Sequence, residues 1–315
     1  MTTYVRNKMI AICIMIAMLM LTDNLDAQVL SPGNLEVSAM YLPGTNFIKT
    51  LDTLSDPDRS NHARINFGYS FLLGENHNQQ KKGYSNWTMN VNANYSRFEH
   101  SGDKNGLIPT ALLYSELGVV HFSTMQNNWA AIQMLSAGIN TDFRKVDNKD
   151  LIINGGVLFM KTYSPNFSLG FGVFAYNALS MPIVLPGFVI NWQTSGSVKV
   201  LINVPTEISV AWNPALNHEI KLAFRPKNIN YDTENPLVPS RRALAYWELP
   251  IGLELRKKTR QIDFMIGGGL MALRSFQFNE RGLDNIFKST PGHMYGANFF
   301  VNAGLQFHFK KQNRK

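Results

Sequence analysis

The chain has 315 residues, and its 30 Lys and Arg against 22 Asp and Glu give a formal net charge of +8. The basic residues are not interleaved with aromatic residues into a binding stripe, so the composition argues against a nucleic-acid partner. The single cysteine, Cys13, excludes an intramolecular disulfide and a thiolate metal site. The seven histidines are scattered singly, and the sequence therefore predicts neither a metal site nor a cofactor.

The N-terminus has the pattern of a secretion signal. Arg6 and Lys8 precede an apolar run of thirteen residues, 9–21, and cleavage after Ala27 fits the small-residue rule. Thirteen residues are too few for a membrane-spanning helix, which needs roughly twenty. We therefore expect a signal peptide over residues 1–27 and a single domain over 28–315, with a retained N-terminal anchor as the alternative.

Strict alternation of apolar and polar residues dominates the rest of the chain. In the run WTMNVNANYS, 87–96, Trp87, Val91 and Tyr95 fall on one face of a strand, while Asn90 and Asn92 fall on the other. Similar runs recur along the chain. In order, the predicted strands are 35–41, 63–73, 87–98, 110–123, 129–140, 151–162, 167–176, 184–193, 198–204, 206–213, 218–225, 242–256, 261–274 and 295–309.

These strands have the length and end composition of membrane strands. Alternating segments of about ten residues with aromatics near their ends are typical of a barrel whose apolar face meets lipid. No later apolar run is long enough for a spanning helix, and a bilayer tolerates only helices and closed barrels. We therefore predict an all-β transmembrane antiparallel up-and-down β-barrel of about 14 strands in a Gram-negative-type outer membrane, with both termini in the periplasm.

The connections support this strand number. The predicted outer connections are 42–62, 99–109, 141–150, 177–183, 226–241 and 275–294, and the inner ones are short except for 74–86. Pro205 is the uncertain position, because proline cannot donate to a strand ladder. We interpret it as a tight outer turn between two short strands. If 198–213 is instead one bulged strand, twelve strands become the main alternative.

The polar faces of the strands predict the barrel interior. Mixed charges there indicate either a salt-bridged, largely filled lumen or a narrow, porin-like passive pore. Lys221 with Glu207 and Arg256 with Asp263 are candidate ion pairs across neighbouring strands. The residues predicted to face the lumen are Arg64, Lys199, Glu207, Glu219, Lys221, Arg225, Glu248, Glu254, Arg256 and Asp263.

Two resemblances support a membrane barrel. The final strand, 295–309, ends at Phe309 and resembles the recognition strand of the outer-membrane insertion machinery, which implies that machinery as a partner. The segments SLGFGVFAYN, PIVLPGFVINW and INVPTEISVAW, together with MYLP at 40–43, resemble an uncharacterised family of outer-membrane β-barrel proteins common in the Bacteroidetes lineage. That resemblance implies the fold and the location, and it carries no activity and no catalytic residues.

One short motif offers an enzymatic alternative. GVVHFS at 118–123 resembles the G-x-x-H-x-S motif of outer-membrane phospholipase A, in which His121 would activate Ser123. The chain departs from that family, because Thr124 follows where the family has asparagine and no tyrosine-threonine-glutamine segment is present. We therefore expect a non-enzymatic pore or a structural, partner-binding component, and keep a lipid hydrolase as the alternative. Its expected contacts are outer-membrane lipid and an unidentified solute or protein.

Overall fold

The computed structural model describes residues 33–49, 59–78, 83–101, 108–176, 183–194, 196–233, 243–279 and 292–309. The predicted signal peptide and the basic tail 310–315 lie outside these ranges. The described part contains sixteen strand segments, which are β1 (Asn34–Lys49), β2 (Arg59–Asn78), β3 (Gly83–Ser101), β4 (Ala111–Thr124), β5 (Trp129–Thr141), β6 (Leu151–Ser164), β7 (Phe167–Tyr176), β8 (Ile183–Gln193), β9 (Val198–Val204), β10 (Glu207–Ala215), β11 (His218–Phe224), β12 (Lys227–Asp232), β13 (Ala243–Lys257), β14 (Ile262–Asn279), β15 (Gly292–Tyr295) and β16 (Asn298–His308).

The sixteen segments form fourteen strands of one closed barrel. Segments β11 and β12 both pair with β13 and are separated by Arg225 and Pro226, and proline has no N–H for the ladder. Segments β15 and β16 both pair with β14. Neighbouring strands are antiparallel, and β1 closes the barrel by pairing with β16. The predicted fourteen-strand antiparallel barrel is therefore confirmed.

Pro205 ends one strand, as predicted. The turn contains Pro205 and Thr206, and the Thr206 backbone N–H donates to the Asn203 carbonyl oxygen at 2.7 Å. Several predicted connections are shorter than expected, because strands β1, β2, β3 and β14 extend beyond their predicted bounds. The extensions of β2 and β3 are rich in polar residues on both faces, so the period-two pattern disappears there although the ladder continues. Strand β14 instead keeps its alternation through Phe276 and Phe278. The predicted outer connection 226–241 was wrong in part, since it contains β12.

The outward face of the wall is apolar. Leu117, Leu135 and Leu253 are 45%, 64% and 49% exposed, and comparable residues occur on strands around the barrel. An exposed apolar surface of this extent matches the lipid-facing band of a membrane barrel. Large aromatic side chains are exposed near one end of the barrel, namely those of Trp87, Tyr163, Trp192, Trp212 and Phe309.

No helix among the described residues is long and apolar enough to cross a membrane.

The two ends of the barrel differ in construction. The terminal end holds residues 33–34 and 308–309, and the opposite, distal end holds the turn at Pro205. At the distal end β12 pairs with β13 on one side and meets β5 through Asp232 and Thr141. The segments β6 to β10 lie between β5 and β11 in the sheet. Segment β12 therefore crosses the barrel and encloses a smaller distal compartment with β1–β5 and β13–β15.

Candidate functional site

The distal compartment is filled by a packed aromatic core. Phe276 stacks on Tyr246 with ring centroids 4.7 Å apart, and Phe98 meets these two rings edge-on at 5.2 and 5.6 Å. Packing of this kind leaves little room for water. We call this cluster the distal plug, and its buried members are Phe98, Ile108, Leu112, Tyr231, Leu244, Tyr246, Phe276, Phe278 and Tyr295.

A buried ion pair bridges the interior beside the plug. The Arg64 guanidinium donates to both carboxylate oxygens of Glu248 at 2.6 Å each. Both residues are at most 2% exposed. Arg64 also donates to the Ser96 hydroxyl at 3.1 Å, and the Tyr246 hydroxyl donates to Glu248. Arg64 lies on β2 and Glu248 on β13, with β14, β16 and β1 between them in the wall. The pair therefore joins strands that are not neighbours, across the barrel interior.

A second charged network lies on β10, β11 and β13. Its members are Glu207, Lys221, Arg225 and Glu254. Glu207 accepts from Arg225 Nε at 2.8 Å and from the Ser209 hydroxyl at 2.6 Å, and it lies 3.6 Å from Lys221 Nζ. Arg225 also binds Glu254 through both terminal nitrogens, with Nη2 at 2.9 Å. The predicted pair of Lys221 with Glu207 is thus present. The network balances two carboxylates against two cations, so each buried charge has a partner.

Near the terminal end, Glu219, Arg256 and Asp263 contact residues outside this network. Lys258 Nζ lies 2.5 Å from the Glu219 carboxylate. Arg256 donates to Gln306 Oε1 at 2.8 Å, and Asp263 lies 3.2 Å from His308 Nε2.

The predicted pair of Arg256 with Asp263 was therefore wrong. The strand register places Asp263 opposite Gln306 on β16, while Arg256 lies opposite Met265 on β14. Lys199 is half-buried between Gln193 and Ala211 in the register, and no ion pair to it occurs within the described ranges.

An apolar wall on β4 to β8 lines the interior. Ile132, Leu158, Phe174 and Val189 form a buried cluster there. The ring of Phe174 lies against Gly187, where an added Cβ would come within 2.0 Å of the ring. Glycine at this position lets the ring lie flat on the barrel wall. Half-buried members of the wall are Val120, Phe122, Met134, Met160 and Tyr176.

Glu116 lies on β4, at the distal edge of the apolar wall. It is 8% exposed and accepts hydrogen bonds from the Ser136 hydroxyl at 2.9 Å and from Asn154 Nδ2 at 2.8 Å. Asn92 Nδ2 approaches at 3.4 Å. All three partners are neutral. Among the described residues, no lysine, arginine or histidine forms an ion pair with Glu116.

Comparison with known proteins identifies the family. The model of the family DUF6268, described as a domain of unknown function, matches residues 23–308. The chain belongs to this family. No curated protein matches this DUF6268 chain.

Solved structures similar to this DUF6268 protein are outer-membrane barrels. An outer membrane channel from Pseudomonas putida F1 has a TM-score of 0.40 at 9% identity, covering 91% of this chain and 99% of the channel. The translocator domain of the autotransporter NalP from Neisseria meningitidis has a TM-score of 0.34 at 8% identity and 90% coverage of each chain. The toluene transporter TodX from P. putida has a TM-score of 0.29 at 10% identity, with 90% and 92% covered. The likeness concerns the fold alone.

His121 and Ser123 lie on the outward face of β4, away from the plug and both networks. The His121 ring stacks on Trp87 at 4.3 Å, and its Nδ1 lies 3.3 Å from Gln133 Oε1. Within the residues that the structure describes, no hydrogen bond joins His121 to Ser123. This arrangement provides an aromatic contact at the rim of the barrel, and among the described residues no carboxylate forms an ion pair with His121.

Sequence reasoning missed the apolar wall and Glu116. On β4 to β6 both faces of the strand are rich in apolar residues, as in LIINGGVLFM at 151–160, so hydrophobicity alone cannot assign the inward face. The inward orientation of Glu116 could have been predicted from the alternation of side chains along β4. It shares its face with Leu112, Tyr114 and Gly118, opposite the outward Leu117.

Proposed function

We propose that this protein is a non-enzymatic outer-membrane barrel that binds small, largely apolar molecules in its interior and passes them, while the distal plug excludes ions. The observation that carries the proposal is the apolar wall on β4 to β8. Apolar surface in a water-filled lumen costs roughly 25 cal/mol per Å². Ligand sites in proteins are concave, mostly apolar and supplied with a few polar groups. The apolar wall, with Glu116 and its hydrogen-bonding partners at its distal edge, has that composition.

The outward face supports the location, and the orientation is part of the proposal. The apolar belt and the exposed aromatic residues at the terminal end support insertion in the outer membrane, with lipid as the surrounding partner. We place the terminal end in the periplasm and the distal end outside the cell. The last strand would be the segment read by the insertion machinery, in a protein of the Bacteroidetes lineage.

The plug occupies one part of the distal end. Segments β6 to β10 lie outside the compartment that β12 closes, and five of the nine members of the apolar wall lie on β6, β7 and β8. We propose that the apolar molecule moves along this side of the barrel. The long distal connections and the basic tail, on which a partner-binding role would depend, fall largely outside the described residues, so no observation favours that role.

The test is binding of a neutral aromatic probe, 2-phenylethanol, to refolded protein by titration calorimetry. Leu158→Asn keeps the side-chain size and makes the apolar wall polar. Burial of a leucine side chain contributes about 1.5–3 kcal/mol, so we expect affinity to fall about tenfold or more. Leu216→Asn is the matched control, because Leu216 is fully exposed in a terminal-end turn. Absence of binding, or equal affinity in both variants, would contradict the proposal.

A further inference from the structure

We infer that Glu116 is the recognition residue for a positively charged group, and that the preferred ligand is an amphipathic organic cation whose apolar part lies on the apolar wall. This inference rests on the proposed function and names the ligand class for the same interior. The site consists of the Glu116 carboxylate, its neutral hydrogen-bonding partners and the adjoining apolar side chains.

The polar and apolar parts of the site are contiguous along the strands. Glu116 shares the inward face of β4 with Val120 and Phe122. On β5, Ser136 lies on the same face as Met134 and Ile132, which belong to the apolar wall. On β6, Asn154 is likewise followed on its face by Leu158 and Met160. Because strand side chains on one face are about 7 Å apart, the carboxylate lies within one small molecule's length of the wall.

Glu116 differs from other interior glutamates in its partners. Glu207 and Glu254 bind Arg225, Glu248 binds Arg64, and Glu219 binds Lys258. The partners of Glu116 are amide and hydroxyl groups, which satisfy its lone pairs and leave its negative charge without a counter-charge in the described part of the chain. A buried carboxylate of this kind attracts a cation, because a charge-assisted hydrogen bond is about twice as strong as a neutral one.

Aromatic rings beside the carboxylate favour an organic cation over a metal ion. Tyr114 lies two residues before Glu116 on the inward face of β4. Tyr176 packs against the apolar wall. A carboxylate flanked by aromatic rings suits an ammonium group, which gains cation–π contacts with the rings. A small hydrated metal ion would make no use of the apolar surface.

The experiment compares two probes of equal shape on refolded full-length barrel in a nonionic detergent. The probes are 2-phenylethylammonium and 2-phenylethanol, titrated by calorimetry. We expect the unmodified protein to prefer the cation by about tenfold, the ratio that one charge-assisted hydrogen bond supplies. Glu116→Gln keeps the size of the side chain and removes its charge, and the preference should fall to about one while binding of the alcohol is unchanged.

A second variant covers the case in which Glu116→Gln does not fold. Ser136→Lys places an ammonium group beside the carboxylate, since the Ser136 hydroxyl is 2.9 Å from Glu116. This variant should also lose the cation preference and keep alcohol binding. Glu99→Gln is the control, because Glu99 is exposed and paired with Arg97 near the end of β3. It should retain the preference of the unmodified protein.

The outcomes separate this inference from the proposed function. Equal affinity of the unmodified protein for both probes would overturn the role of Glu116. A cation preference that survives Glu116→Gln or Ser136→Lys would do the same. Neither result would contradict the proposed binding of apolar molecules to the apolar wall. Failure of both probes to bind would overturn the proposed function together with this inference. A preference lost in both variants and kept in Glu99→Gln supports the assignment.

Discussion

Neutralising Glu248 should destabilise the barrel strongly. The Glu248→Gln variant leaves the Arg64 guanidinium buried, with both of its 2.6 Å contacts to a carboxylate lost. Removing one partner of a buried ion pair costs about 3–5 kcal/mol. The double variant Arg64→Met with Glu248→Met removes both charges, and it should cost much less or even stabilise the protein, because well-packed apolar replacements of buried pairs are often neutral or stabilising.

The assay is urea unfolding of the refolded barrel, followed by tryptophan fluorescence and heat-modifiable gel migration. Glu99→Gln is the matched control, since Glu99 and Arg97 form an exposed pair at 3.6 Å. Exposed pairs contribute at most about 1 kcal/mol, so this change should barely move the midpoint. If Glu248→Gln destabilises no more than Glu99→Gln, the Arg64 pair is hydrated, and the distal interior is not the dry plug described above.

Further predictions concern the faces of the wall and the rim. Val91→Arg should impair insertion, because a charge at the bilayer midplane costs about 2–4 kcal/mol, whereas Asn92→Arg should be tolerated beside the interior carboxylate; equal folding yields would mean a misassigned face. Gly187→Ala should push the Phe174 ring away from the wall and weaken 2-phenylethanol binding several-fold in calorimetry, and unchanged affinity would contradict the flat placement of that ring. Purified protein should release no fatty acid from phospholipid with or without calcium, and hydrolysis that Ser123→Ala abolishes would establish the enzymatic alternative.

The strand number and the faces of several strands could be predicted because their alternation is local. On β3 every second residue from Asn86 to Ser96 is polar, so one face can be recognised without knowledge of the neighbours. The pair of Lys221 with Glu207 followed from two adjacent strands with short connections. Pro205 could be interpreted as a turn because its missing N–H is a property of the residue itself.

The distal plug and the crossing of β12 depend on contacts that are remote in sequence. Arg64 and Glu248 are 184 residues apart, and their contact requires that the barrel close with a defined cross-section. Segment β12 has only six residues, too few for a periodic pattern to stand out. The inward face of the apolar wall could not be predicted for another reason. When both faces of a strand are apolar, hydrophobicity does not indicate which face turns inward.

Ion conductance of the unmodified protein in planar bilayers tests the central claim most directly. The aromatic plug and the buried pair of Arg64 with Glu248 predict that refolded barrel, inserted and heat-modifiable, gives no discrete conductance steps in molar salt. The plug fills the compartment that β12 closes, and the remaining side is lined by the apolar wall, so neither part offers ions a hydrated path. Stable steps of uniform size from the unmodified protein would mean an open aqueous pore, and they would contradict the exclusion of ions.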